Sequence, residues 1–234
     1  SLKRSINFTD ISHSIGPMLN SPGRIKNADL SVELLCSTNL SRIKNIIEEI
    51  QFLNVKRKKL EKSCMKLINL EKHENNDEVI FEVNKFFHEG ILGIIAGKLK
   101  EKLNKPAFVI TDSIDIYKVS ARSTDKFRLN NLINKLLNSG LIESGGGHDM
   151  AAGFVVKKEK LKKVKEFINL EYRKSNKNYI FYYEFKKLLP KKDSSIFNDL
   201  KKLEPYGNEN QQPLFLFENL KSIKTKIINS QHIN

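Results

Sequence analysis

The order of apolar and polar positions divides the chain into a helical beginning, an α/β middle and a β-rich end. Residues 5 to about 75 read as helical. Ile43, Ile46, Ile47, Ile50 and Leu53 recur at intervals of three and four, as on one face of an α-helix. Glu48, Glu49, Lys56, Arg57 and Lys58 fall on the other faces. The pattern runs on through Leu60 to Leu67, so one helix of about 30 residues is predicted. A helix that long, with no apolar partner of its own, suits a spacer between two domains. Upstream, Pro17 and Pro22 rule out a continuous helix. The polar run Glu71 to Glu78 predicts a boundary.

From 79 to 156 strands and helices mix. Val79–Val83 is strand-like, and Gly90–Leu103 has helical spacing through Ile91, Ile94, Ile95 and Leu99. Ala107–Thr111 is a short apolar run after Pro106, which suits a buried strand. Tyr117–Arg122 alternates. Leu129, Leu132, Ile133, Leu136 and Leu137 give another amphipathic helix, and Ala151–Val156 returns to strand. A Lys-rich helix follows over 158–174, with Leu161, Val164, Phe167 and Ile168 inward. A second boundary is expected at Ser175–Asn178. Beyond it lie β-formers at Tyr179–Phe185, a helix from Ser194 to Leu203, a turn at Pro205-Tyr206-Gly207, and strand runs at Leu214–Phe217 and Ile223–Ile228. This end resembles the first part of a small β-barrel with too few strands to close it. No internal repeat is present.

Composition narrows the class. Hydrophobic residues make up 39% of the 234, which supports a core, and the net charge of +14 favours polyanionic partners. The same charge also fits lysines that merely solvate helix faces. Cys36 and Cys64 have no metal spacing and read as buried thiols in a reducing compartment. No apolar run is long enough to span a bilayer and the start carries no signal-peptide core, so no membrane association and a cytoplasmic location are expected.

Gly145-Gly146-Gly147-His148 carries the strongest local chemistry. Three glycines leave the backbone open to close approach, and their N–H groups can converge into an anion-binding nest. His148 adds a donor whose charge changes near neutral pH. The alternative is a flexible turn. Ala151-Ala152-Gly153 next to it favours tight packing over a floppy linker. Arg122, flanked by Ser120 and Ser123, offers a planar fork suited to phosphate, or else is a solvated strand-end residue. His88-Glu89-Gly90 precedes a helix and is either an anion-facing helix start or an ordinary cap. Arg24, in the kinked segment with Asn20 and Gly23, could reach a phosphate or be a loop arginine. His13, His73, His88, His148 and His232 are scattered, with no Asp-rich cluster near any of them. No complete metal or nucleophilic centre is expected in this chain.

In order, these segments resemble the C-terminal portion of the RecJ family of single-stranded-DNA-specific exonucleases, in the DHH/DHHA1 phosphoesterase superfamily. Ile15–Arg24 resembles the family's Ile-Gly-Pro-Arg-Ile-Asn-Ala-Ala-Gly-Arg segment. His88-Glu-Gly-Ile-Leu-Gly-Ile94 resembles its His-x-Gly-Val-Val-Gly-Ile segment, and Ser120-Ala-Arg-Ser123 its Ser-x-Arg-Ser. Gly145–His148 with Ala151–Gly153 resembles its glycine-histidine motif. Leu203–Gly207 and Pro213-Leu-Phe215 resemble the entry to its OB-fold. The likeness covers nearly the whole chain.

The resemblance implies an α/β architecture: the end of a DHH domain and a long connecting helix over 1–75, a DHHA1 domain with a mixed sheet over 76–175, and a partial OB-fold barrel over 176–234. It implies a 5′→3′ exonuclease acting on single-stranded DNA in repair and recombination, with the OB-fold guiding the strand by charge and stacking. It implies Mn2+ or Mg2+ as cofactor, with ligands in a DHH domain upstream and none in this chain. The chain is then a strand-holding portion, inactive alone. By carry-over, the Gly145, Gly146, Gly147 and His148 motif with Arg122 and Ser123 contacts the terminal nucleotide or its phosphates. His88 sits near the same cleft, and Arg24 and Asn20 face the DHH half.

Met18, Pro22, Glu209 and Gln211 depart from the family pattern, Met18 by removing an arginine. With a first residue other than Met, these departures lead to the expectation of a fragment or one half of a split gene, with a separate DHH-domain polypeptide as partner. Three other readings remain at this point: a catalytically inert single-strand-binding module, a DHHA1-containing oligonucleotide phosphodiesterase or tRNA-synthetase-like domain, and a basic scaffold with no ligand.

Overall fold

The N-terminal prolines sit where prolines are tolerated. In the computed structural model, which describes residues 10–76, 78–125, 127–175, 185–186, 195–206, 210–216, 227–228 and 232–233, Pro17 and Pro22 each occupy the first turn of a short helix. A missing N–H costs nothing there. The two helices are α1 (Gly16–Leu19) and α2 (Ser21–Ile25), after a π-helical turn at Ile11–Ile15. Helix α3 (Asp29–Cys36) leads to the long helix α4 (Leu40–Lys66). Asn39 caps α4 by accepting a hydrogen bond from the Arg42 N–H at 3.1 Å.

The buried ridge of α4 is Ile46, Ile50, Leu53, Arg57, Glu61 and Cys64. Arg57 therefore lies on the inner face, against the expectation from spacing. It is admitted because Glu61, one turn on, accepts from its Nη1 at 3.1 Å, and Asn54 takes two more of its donors. The polar run that begins at Glu71 is helical as far as Asn76, α5 (Leu70–Asn76), within the stretch to about 75 read as helical, and His73 in it is 1% exposed. One further expectation is corrected here. Of the two thiols, Cys64 is buried but Cys36 is exposed at the end of α3. Burial raises the Cys64 thiol pKa, a shift opposed by a hydrogen bond to the His88 backbone.

The middle of the chain is a five-stranded sheet in the order β1-β2-β3-β5-β4. Its strands are β1 (Ile80–Val83), β2 (Ala107–Ser113), β3 (Ile116–Arg122), β4 (Ser144–His148) and β5 (Ala151–Lys157). Strands β1 and β2 are parallel and the other pairs antiparallel, which makes the sheet mixed. The parallel pair needs a crossover, supplied by α6 (Leu92–Leu103). That helix ends on Asn104 at φ 50°, a left-handed stop, before Pro106. Strand β2 is buried from Ala107 to Thr111, as an apolar run walled on both faces requires.

The two faces carry separate cores. One gathers Phe108, Ile110, Val119, Ala121 and Phe154 under α7 (Leu129–Asn138) and α8 (Leu161–Ser175). The other gathers Ile80, Ala107 and Val109 with Ile91, Ile95 and Leu99 of the α6 region and Cys64 of α4. Phe108 is central to the first, with its ring 5.3 Å from Phe81 and 6.4 Å from Phe154. Phe108→Ala is expected to cost about 3–5 kcal/mol, read as a fall in the denaturation midpoint with the slope unchanged.

Contacts divide the chain into one unit over Ser1–Tyr179 and a second over Ile180–Asn234. In the second, the described elements are β6 (Phe185–Lys186), α9 (Ser195–Lys202), β7 (Phe215–Leu216), β8 (Ile227–Ile228) and β9 (His232–Ile233). Strands β6 and β7 pair in parallel, and β8 and β9 antiparallel. Tyr206 donates its hydroxyl to the Leu200 carbonyl at 2.6 Å, which ties the turn back onto α9. Most of the Tyr179–Phe185 run, together with Gly207 and Glu209, lies outside the described residues.

Candidate functional site

Strand register builds the site. Residues paired across neighbouring strands project from the same face. Ala107, Arg122, Ala151 and His148 form one row across β2, β3, β5 and β4. Val109, Ser120, Gly153 and Gly146 form the next. Ala107 and Val109 belong to the core under α6, so all eight residues share that face. Helix α6 covers β2 and β3. Beyond β3 the floor is made of alanine and glycine, with Ser144, Gly146 and His148 exposed. The result is a shallow groove with a nearly side-chain-free floor and Arg122 and His148 at one end.

The glycine run is a strand, not the loop or anion nest expected of it. Extended residues send successive N–H groups to opposite sides, so they cannot converge on one anion. The three glycines have different reasons. Gly147 has φ 153°, and a Cβ there would stand 2.3 Å from the Ala151 oxygen and 2.5 Å from the Ala152 Cα. A Cβ on Gly145 would meet the Phe154 Cβ at 2.7 Å. At Gly146, on the groove face, an added Cβ meets nothing within 4 Å. The fold requires Gly147 and Gly145; it does not require Gly146.

The turn that starts α6 borders this floor. His88 precedes a 3₁₀ turn (Glu89–Ile91), and its Nδ1 accepts from the Gly90 N–H at 3.1 Å. It acts as a cap, with the ring exposed. Glu89 pairs with Lys118, a contact that holds its carboxyl below the usual carboxylate range. Gly90 is where the N-terminal segment presses in: a Cβ there would stand 1.9 Å from the Arg24 oxygen. The Arg24 Nη1 in turn donates to the Gly90 oxygen at 3.2 Å. Gly93 leaves room for the Arg122 fork, since a Cβ on it would lie 2.7 Å from Arg122 Nη2 and 3.2 Å from Ser120 Oγ.

Arg24 and Arg122, far apart in sequence, are thus brought to the same turn. Each is half-buried, and burial lowers both pKa values. The charge of Arg57 adds to the depression at Arg24, and that of Arg24 to the depression at Arg122. Among the described residues each makes a hydrogen bond only to a backbone oxygen, Arg122 Nη1 to its neighbour Ala121 at 2.8 Å. Among the described residues neither has a carboxylate partner. Glu61, the carboxylate that meets Arg57, is already shared by Arg57 and Lys98. Such an arrangement of planar forks, desolvated and short of counter-charge, suits a bidentate anion such as phosphate.

The other expected residues are placed differently. Ser123 is 1% exposed, and its hydroxyl donates to the Phe127 oxygen at 2.6 Å. That bond closes the turn after β3 and leaves the hydroxyl committed to the fold. Asn20 is exposed at the junction of α1 and α2. Ser120, named beside Arg122 in the sequence, does lie on the site's face, and Lys118, Gly93 and Arg57 join the site without having been singled out for it.

Among the described residues no three or more His, Cys, Asp or Glu side chains are grouped to hold a metal ion, and no helix is long and apolar enough to cross a membrane. The described residues do not fit a Mn2+ or Mg2+ centre.

Residues 76–174 match the DHHA1 domain family and residues 189–234 the RecJ OB domain family. The chain is 28% identical over 237 residues to the single-stranded-DNA-specific exonuclease RecJ of Bacillus subtilis, which covers 97% of this chain and 30% of that protein. It is 30% identical over 162 residues to RecJ of Haemophilus influenzae, 64% of this chain and 28% of that one. The crystal structure of Thermus thermophilus RecJ in complex with Mn2+ superposes with a TM-score of 0.76 at 23% identity, covering 88% of this chain and 31% of that one. The chain spans less than a third of the length of these relatives.

Proposed function

Because this chain corresponds to the C-terminal portion of RecJ-type proteins, a DHHA1 domain followed by an OB domain, we propose that it grips one end of a single nucleic-acid strand for a 5′→3′ DNA exonuclease. The metal centre that cuts belongs, on this reading, to a DHH domain outside these 234 residues, in the same polypeptide or a separate one. The residues of this chain bind and orient. Arg24 and Arg122 clamp phosphate oxygens at the start of α6. The Gly146–Gly153 floor admits the strand close to the backbone, and His148 donates at the far end of the row. The role of Ser123 is indirect: it fixes the turn that aims Arg122.

The observation that carries this reading is the pair of half-buried guanidinium groups with no carboxylate partner among the described residues, beside a floor that has no internal reason to be bare at Gly146. The RecJ OB match over residues 189–234 favours it over a DHHA1-containing oligonucleotide phosphodiesterase. The test is single-stranded DNA binding by fluorescence anisotropy across a salt series, with a short RNA as competitor. Affinity should fall steeply with salt, by about 0.7 in logarithmic slope for each phosphate contacted. Adding a RecJ-type DHH domain and Mn2+ should restore 5′-end digestion. A flat salt response, or preferential binding of the short RNA, would sink the proposal.

A further inference from the structure

The outward side of α4 carries a feature that the groove does not use. On a helix of 3.6 residues per turn, Phe52, Val55, Lys59, Lys62 and Lys66 fall within about 80° of one another, opposite the buried ridge of Ile50, Leu53, Arg57 and Glu61. They form a straight ridge about 21 Å long. Phe52 is 68% exposed and Val55 51%. Lys56 and Lys58 flank the ridge and are also exposed.

None of these five lysines makes an ion pair or hydrogen bond among the described residues. Some lysines elsewhere are paired: Lys135 and Lys174 share Glu171, Lys160 pairs with Glu143, and Lys158 with Asp112. Others, Lys157, Lys162 and Lys163 among them, have no such partner among the described residues either, so what sets the ridge apart is its row of like charges beside an exposed ring. A solvated helix face ordinarily alternates its signs, with acids three or four residues from bases. Here Glu61, the one acid between Gln51 and Lys66, points inward and is already taken. Lys58, Lys62 and Lys66 follow one another at i,i+4, a spacing at which like charges destabilise a helix. The face is charged against the interest of the fold, and it exposes an aromatic ring on the same line.

We propose that this ridge is a second contact surface for the nucleic-acid strand, with Lys59, Lys62 and Lys66 on its phosphates and Phe52 stacking a base. The inference rests on the reading that the ligand is a single strand. It adds that the strand runs on from the groove around the back of α4. The pairing of an unneutralised cationic row with an exposed ring is the chemistry that single strands use.

The test compares oligothymidylates of about 4 and about 30 nucleotides on the full chain, the shorter able to fill the groove alone. K59E/K62E/K66E should leave the short oligomer unaffected. It should weaken the long one by about tenfold or more and flatten its logarithmic salt slope by about 2. K59Q/K62Q/K66Q should fall between, and F52A should lose about fivefold or more on the long oligomer alone. K157E/K162E/K163E, the same charge change on another exposed face, should not alter the slope.

Parent-like binding of the long oligomer by K59E/K62E/K66E overturns the inference and leaves the groove standing. So does an equal effect of the control triple, which would assign the change to net charge. If the ridge variants instead lost only binding to anionic phospholipid vesicles, the ridge would be a lipid surface. If the parent chain bound neither oligomer, the proposed function would fall and this inference with it.

Discussion

Arg122→Gln should weaken single-strand binding by about 10- to 100-fold and cost nothing in folding stability. Charge-assisted hydrogen bonds from a guanidinium to a phosphate are worth about 1.5–3 kcal/mol, and glutamine keeps neither the charge nor the fork. The stability half of the expectation comes from the surroundings. Burial and then the charge of Arg24 depress the Arg122 pKa, so folding works against the charged form at this position. The one hydrogen bond Arg122 makes among the described residues is to the adjacent Ala121 oxygen, which a glutamine amide can also serve. The denaturation midpoint should hold or rise while affinity falls. Arg24→Gln should behave alike, though less fully, since its Nη1 joins two segments at Gly90. A midpoint lowered by several degrees with unchanged affinity would mark Arg122 as a structural residue and remove the site.

The second large effect separates neighbours on one strand. Gly147→Ala should cost about 3 kcal/mol or more, because φ 153° disfavours an L side chain and the Cβ would strike backbone atoms of Ala151 and Ala152. The β4–β5 hairpin would open at its closed end, next to Asp149 and Met150. Gly146→Ala should change stability by no more than about 0.5 kcal/mol, since its Cβ meets nothing. It should nevertheless weaken strand binding, because the added methyl stands on the open floor. Urea titrations of the two single variants, with binding measured on each, check the pair. Equal losses of stability would show that the register assigned to β4 is wrong.

The sequence carried the scaffold better than it carried the site. The long helix was readable because Ile46, Ile50 and Leu53 repeat along one face, and β2 because Ala107–Ile110 is apolar without interruption. Buried polar partners were not readable. Arg57 looks like an outward residue until Glu61 and Asn54 are known to face it. His73 sits in a run of charges, and only tertiary structure brings Glu82 within 2.9 Å of its ring. The glycine run misled because glycine has little preference of its own for a strand. Pairing with β5 decides the matter, and that partner lies beyond the turn. Arg24 and Arg122 were each readable as a phosphate-binding type. Their convergence on Gly90 and Gly93 was not, since nothing local links them. Ser123 failed for the opposite reason: a hydroxyl beside an arginine suggests a ligand, but a backbone carbonyl four residues on had already claimed it.

The clasp at the end of the connecting helix bears on timing. His73 is fastened to Glu82, and Lys105 donates its ammonium to the His73 and Glu74 oxygens at 2.8 and 2.9 Å. The Gly90–Arg24 contact likewise ties the N-terminal segment to the turn at which the two arginines meet. A cleft already assembled before its ligand arrives has no rearrangement to wait for. Encounter should then proceed near the diffusion-limited, charge-steered rate, and variants of the groove should differ in how long the strand stays rather than in how fast it lands.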